Sequence, residues 1–196
     1  MGVTDESLIA AHLRGDKAAF RELVQRYADS VMGYLFRMTG NRDLAEDLFQ
    51  ETFKKVHEKA HTFRGPRLKS WLFTIATRVA LDAFRRRKHA PTVSLDQTND
   101  CGPEDGSSLV AATVDPNATD PADDVVREEQ AQQVRNAVGA LPPRQRATLV
   151  LAYFQQLTYP EVAQVLDCSV GTVKTQISRA LARLARQLPD SVSVTK

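Results

Sequence analysis

Apolar residues recur three and four positions apart through most of this chain, a spacing that gathers them on one side of an α-helix. In the first half the series runs Leu8, Ile9 and Leu13, then Phe20, Leu23, Val24, Tyr27, Val31, Tyr34, Leu35 and Met38. The breaks carry cap chemistry instead of strand-like alternation. Gly15 stops the first run and Asp16 can cap the second; Gly40 can close that helix, and Asn41 can cap a third bearing Leu44, Leu48, Phe53 and Val56. Beyond Gly65 and Pro66 a fourth helix is predicted from about Leu68 to Lys88. Four helices with short connections predict a bundle over residues 1–89.

Between residues 90 and 124 the period is lost. Pro91, Pro103, Pro116 and Pro121 interrupt it among Gly, Ser, Asn and Asp, which predicts a linker without fixed structure. The helical period returns with Val134, Val138 and Leu141, and Pro142 and Pro143 open a helix that should end near Phe154. Thr158 and Glu161 stand at capping-box spacing, with Thr158 placed to accept a backbone donor, and Asp167 and Cys168 make a tight turn. Ser169 can then cap a last helix with an apolar stripe of Val170, Val173, Ile177, Leu181, Leu184 and Leu188. The expected fold class is all-α: two small helical domains, an N-terminal bundle and a C-terminal helix-turn-helix domain over 125–188, joined by a flexible linker and followed by a tail over 189–196.

Charge sharpens this division. Residues 1–90 carry 17 Lys or Arg against 11 Asp or Glu, residues 91–134 one Arg against ten acids, and residues 135–196 eight bases against three acids. Two basic lobes, +6 and +5, flank a middle of −9, within a net charge of only +2. Cys101 and Cys168 are the two cysteines, too few for a disulfide framework and without the paired spacing of a zinc site, which fits a reducing cytoplasm. No basic start leads into an apolar run, and none of about eighteen apolar residues occurs, so neither export nor membrane insertion is expected.

Two short helices joined by a turn, the second presenting small and basic residues, have the form of a helix-turn-helix. Opposite the stripe of the last helix lie Gly171, Thr172, Lys174, Thr175, Gln176, Ser178 and Arg179, with Arg183 further on and Ser169 at the cap. Small residues at a helix N-terminus allow close approach of a phosphate to free backbone donors; Lys174 and Arg179 can neutralise phosphates, and Gln176 or Lys174 can read base edges. An ordinary solvated face is the competing reading. In the fourth helix Trp71, Phe73 and Phe84 alternate with Lys69, Arg78 and the run Arg85 to Lys88, and aromatics among bases suit stacked, unpaired nucleotides. That run also complements the helix dipole, and Trp71 could equally be core. His57, Glu58 and His61 spell the zinc-protease pattern H-E-x-x-H, but no Glu follows before Glu104 and no His before His89, so a third ligand is missing. No catalytic residue, metal or cofactor is expected.

The segments NRDLAEDLFQETFKKVHEKAHTF, LKSWLFTIATRVALDAFRRRKH and LPPRQRATLVLAYFQQLTYPEVAQVLDCSVGTVKTQISRALARL, in this order, resemble the extracytoplasmic-function group of bacterial RNA polymerase sigma factors. The resemblance covers nearly all of the chain outside the linker, and implies the second and fourth conserved sigma regions. It implies that Asp43, Glu46, Asp47, Gln50, Glu51 and Phe53 meet core RNA polymerase. It implies further that Gly65, Arg67, Lys69, Trp71, Thr74, Thr77, Arg78, Arg85 and Arg86 open and hold minus-ten DNA, and that the helix-turn-helix reads minus-thirty-five duplex. Many relatives carry Arg-Asn where this chain has Thr77 and Arg78, and Lys-Ser-Arg where it has Lys174, Thr175 and Gln176, so a promoter sequence does not transfer. An anti-sigma protein is the implied inhibitory partner. The alternative is a helix-turn-helix regulator that acts without core polymerase.

Overall fold

The structure, a computed structural model, describes residues 3–89 and 121–188. The expected linker, as far as residue 120, and the tail from residue 189 lie outside them.

The N-terminal unit contains helices α1 (Asp5–Leu13), α2 (Lys17–Thr39), α3 (Arg42–Lys59) and α4 (Leu68–His89), with a single 3₁₀ turn at Ala60–Thr62. The caps read from the sequence form. Asp16 accepts the amides of Ala18 and Ala19 at 2.8 and 3.2 Å, and Asn41 accepts that of Leu44 at 2.7 Å. A side-chain cap of this kind is worth about 1 kcal/mol over alanine. Gly40 closes α2 at a φ of 66°, where its amide bonds to the Phe36 carbonyl at 2.8 Å. The packed faces of α2, α3 and α4 bury Tyr34, Leu35, Met38, Val56, Leu72 and Phe73. Tyr34 and Phe73 meet edge to face, centroids 5.3 Å apart at 83°, a pairing worth about 0.5–1.5 kcal/mol beyond the area it buries.

The C-terminal unit begins at α5 (Pro121–Gly139), so helix takes in the last four residues of the expected linker. Proline suits a first helical position, where its missing amide leaves no bond unmade. Then follow α6 (Pro143–Leu149), α7 (Tyr159–Leu166) and α8 (Val170–Gln187). The helix opened by Pro143 does not run on regularly to Phe154. Over Val150–Phe154 it widens to a π-helical turn, in which the Gln155 amide reaches back five residues to the Val150 carbonyl at 3.0 Å. The buried stripe of α8 also differs from the expected one: Val173, Ile177 and Ala180 are buried and Leu184 partly so, while Val170 and Leu181 are 37% and 42% exposed. At about 100° per residue, Ala180 continues the line from Val173 and Ile177, and Leu181 is turned out of it.

The two units pack together. Helices α2 and α4 touch α6, α4 also touches α7, and α2 also touches α5 and the π-turn, so that the apolar residues of both units form one continuous cluster.

Candidate nucleic-acid and polymerase interfaces

Helices α7 and α8, with Asp167 to Ser169 between them, form the helix-turn-helix. Asp167 adopts the left-handed conformation at a φ of 51°, which Asp tolerates better than most residues, and ends α7 abruptly enough for Ser169 to start α8. Ser169 Oγ accepts the Thr172 amide at 3.1 Å. At the start of α7 the expected reciprocal box is rearranged: the Thr158 amide and hydroxyl both donate to Glu161 Oε2, at 2.9 and 2.6 Å. Those bonds are the main reason that the Glu161 carboxyl titrates below its usual range. Along α8, Gly171, Thr172, Lys174, Thr175, Ser178, Arg179 and Arg183 are exposed and Gln176 is partly so, all on the side away from the buried stripe. A side chain at Gly171 would meet nothing nearer than Ser169 Oγ at 3.6 Å, so packing does not require a glycine there. The Thr175 hydroxyl donates back to the Gly171 carbonyl at 3.0 Å, leaving its oxygen free to accept.

On α3, Asp43, Glu46, Asp47 and Gln50 are exposed. Glu51 is partly buried: Lys55 Nζ donates to it at 2.7 Å and an Arg86 guanidinium nitrogen lies 3.6 Å away, and the Lys55 bond above all lowers its pKa. Phe53 departs from the rest of its expected set. It is 6% exposed, tilted against Phe49 with centroids 4.8 Å apart, and is part of the core.

The minus-ten set separates in the same way. Arg67, Trp71, Thr74 and Arg78 follow one another at intervals of four, three and four, which places them along one side of the start of α4. Gly65 makes the turn before it at a φ of 96°. Trp71 is partly buried, edge-on to Phe63 at 5.5 Å, and the Thr74 hydroxyl donates to the Ser70 carbonyl at 2.8 Å. Arg85 and Arg86 are exposed, Arg85 bonding to Asp82 at 2.9 Å. Thr77 is 1% exposed, on a different side of the helix, and its hydroxyl lies 2.7 Å from that of Tyr34; core geometry removes it from any DNA-facing surface. Lys69 is partly buried and donates to the Gln155 carbonyl in the other unit at 2.7 Å.

H-E-x-x-H does not lie on one helix. The α3 helix stops at Lys59 and His61 falls in the 3₁₀ turn, while the His57 ring packs against His12 and Phe20 at 4.9 and 5.4 Å. Among the described residues no three His, Cys, Asp or Glu side chains converge as metal ligands.

A helix-turn-helix with its outer face bare defines a DNA-binding protein, and the bundle ahead of it narrows the class. Residues 131–184 match the family model for Sigma-70 region 4, and residues 23–90 that for Sigma-70 region 2. The chain belongs to the extracytoplasmic-function (ECF) RNA polymerase sigma factors. It is 32% identical to the ECF sigma factor SigW of Bacillus subtilis over 178 residues, covering 90% of this chain and 92% of SigW. To the ECF sigma-E factor of Haemophilus influenzae it is 30% identical over 179 residues, 91% of this chain and 92% of the relative. Among solved structures the sigma factor RpoE of Bartonella quintana has the same fold at a TM-score of 0.64 and 23% identity, over 89% of this chain and 98% of RpoE. CnrH superposes at 0.65 with 24% identity, over 96% and 99%. As a sigma factor the protein directs core RNA polymerase to promoters and binds promoter DNA in initiation, so a regulator that dispenses with polymerase is set aside. Among the described residues no helix is long and apolar enough to cross a membrane.

Proposed function

We propose a division of labour between the two units of this sigma factor. Helix α8 enters the major groove of minus-thirty-five duplex with Lys174, Gln176 and Arg179; the start of α4 holds melted minus-ten DNA with Arg67, Lys69, Trp71, Thr74 and Arg78, and Arg85 and Arg86 neutralise phosphates beyond. The acids Asp43, Glu46 and Asp47, with Gln50, face a basic surface of core polymerase. The observation that carries this reading is the outer face of α8, where every polar residue expected to meet DNA is exposed or partly so, opposite an unbroken buried stripe. The factor contributes binding, and polymerase performs the chemistry in the cytoplasm.

Core polymerase charged with Lys174→Ala or Arg179→Ala should bind promoter duplex with weaker affinity and a salt slope lowered by about one for each phosphate no longer neutralised. Unchanged affinity and slope would withdraw both assignments. Arg78→Ala should leave duplex binding intact and impair strand opening.

RpoE of Bartonella quintana was solved in complex with the anti-sigma factor NepR, and CnrH in complex with the cytosolic domain of CnrY. By analogy an anti-sigma protein covers the polymerase-facing surfaces of this chain, a reading that pull-down of the factor from its own cytosol checks.

A further inference from the structure

The contact between the two units has an unusual composition. Its bonds run from cations to backbone carbonyls. Arg146 of α6 is 8% exposed, and its guanidinium donates to the carbonyls of Met38 at the end of α2, of Gly139 at the end of α5, and of Leu141 at 3.1 Å. It also lies over the Phe84 ring of α4, 5.6 Å from the centroid. The last carbonyls of a helix carry the negative end of its dipole, so Arg146 is a cation set between two helix C-termini. Arg37 lies over the Phe154 ring at 4.4 Å, and the Gln155 side-chain amide donates to the Ser30 carbonyl at 3.2 Å.

A second group of contacts falls on the expected strand-binding residues. Lys69 donates to the Gln155 carbonyl, and Glu161 of α7 feels the charges of both Arg67 and Lys69. An oxygen acceptor and a carboxylate thus stand where phosphate oxygens would be placed. By contrast, the outer face of α8 is left bare. The closed arrangement is also incompletely bonded: Ser70 Oγ beside Lys69, Gln145 Oε1 and Arg146 Nε are buried without a hydrogen-bond partner. Buried polar atoms left unbonded favour separation, which exposes them to water.

We propose that in the free chain α7 and the π-turn mask the start of α4 from single-stranded DNA, with Arg146 as the latch, while α8 remains open to duplex. The free factor can then bind duplex but cannot trap a melted strand until the latch opens. This rests on the assignment of α4 to minus-ten DNA. The latch ties carbonyls in both units to one side chain, so losing it shifts the balance between closed and open forms, and apparent affinity for the strand rises with the open fraction.

The test uses the full chain with Cys101→Ser, labelled at Cys168 and at Arg64→Cys for distance measurement. It compares the parent with Arg146→Met, which keeps bulk and removes charge, and with Phe154→Ala, a change at a half-exposed residue that does not threaten folding. The parent should give a short label distance and Arg146→Met a longer one, with Phe154→Ala between them. Affinity for a fluorescent non-template strand, taken from a promoter that the holoenzyme transcribes, should rise about tenfold in Arg146→Met. Duplex affinity should stay level. Equal distances in all three proteins overturn the latch, and a longer distance without tighter strand binding overturns the masking. Holoenzymes carrying Lys69→Ala or Arg78→Ala separate this from the role of α4 in strand binding: normal promoter opening by both would refute that role itself.

Discussion

The hydroxyl groups of Tyr34 and Thr77 lie 2.7 Å apart in the core of the N-terminal unit, joining α2 to α4. Burial pushes the Tyr34 phenol well above its usual range, only partly offset by the Thr77 hydroxyl, so the pair stays neutral. Removing one partner strands the other. Tyr34→Phe or Thr77→Val should each cost about 1–3 kcal/mol, whereas the double variant should cost less than the two singles together. Urea unfolding of the four proteins measures this, and strict additivity would deny the bond. Because Thr77 is buried, holoenzyme with Thr77→Val should retain the parent's promoter preference.

Two acids of α3 should respond differently to neutralisation. Asp47 is exposed, so Asp47→Asn should weaken binding to core polymerase, most visibly at low salt, and change stability by less than about 0.5 kcal/mol. Glu51 is engaged with Lys55 and Arg86, and Glu51→Gln should cost up to about 1 kcal/mol in addition to any effect on docking. Titration of labelled core enzyme, paired with unfolding curves, distinguishes them.

Gln156 follows the π-turn at a φ of 54°, a conformation that costs an ordinary L-residue about 1–2 kcal/mol and glycine almost none. Gln156→Gly should therefore stabilise the chain, by about 0.5–1 kcal/mol once the entropy of the unfolded glycine is counted. Asp167→Gly should gain less, since Asp tolerates that conformation. An unchanged or lower urea midpoint for Gln156→Gly would contradict the argument.

His12 stacks on Phe20 at 4.5 Å and faces His57 at 4.9 Å. Burial, and then the neighbouring His57, lower its pKa beneath the ordinary 6.5. The folded chain therefore binds a proton at this site less readily than the unfolded one. Its contribution to stability is fully present above 6.5 and is lost as pH falls from there through the lower folded value. His12→Phe keeps the stacking and removes the titration, so its stability should fall less between pH 7 and pH 5. Parallel pH slopes for the two proteins would rule this site out.

The amino-acid sequence by itself determined the helices, their caps and the charge division, because these depend on residues at most a few positions apart. Asp16, Asn41 and Ser169 each bond amides two or three residues on, and Gly40 needs only its own backbone freedom. The outer face of α8 was legible for the same reason. Resemblance over three ordered segments supplied the family, which periodicity alone could not. Where local rules erred, packing had chosen between neighbouring positions: Ala180 over Leu181 in the stripe, and Phe53 and Thr77 for the core instead of a surface. The π-turn left no local signal.

Only the tertiary structure decided how the units meet. Lys69 and Gln155 are 86 positions apart, Arg146 and Met38 are 108, and Gln155 and Ser30 are 125. No periodicity or cap links positions so distant, and a cation bonded to backbone carbonyls leaves no partner residue type to recognise in the chain. The basic lobes that the sequence presents as two separate DNA-binding surfaces are thereby made unequal: α8 stands clear, and the start of α4 is covered by α7 and the π-turn.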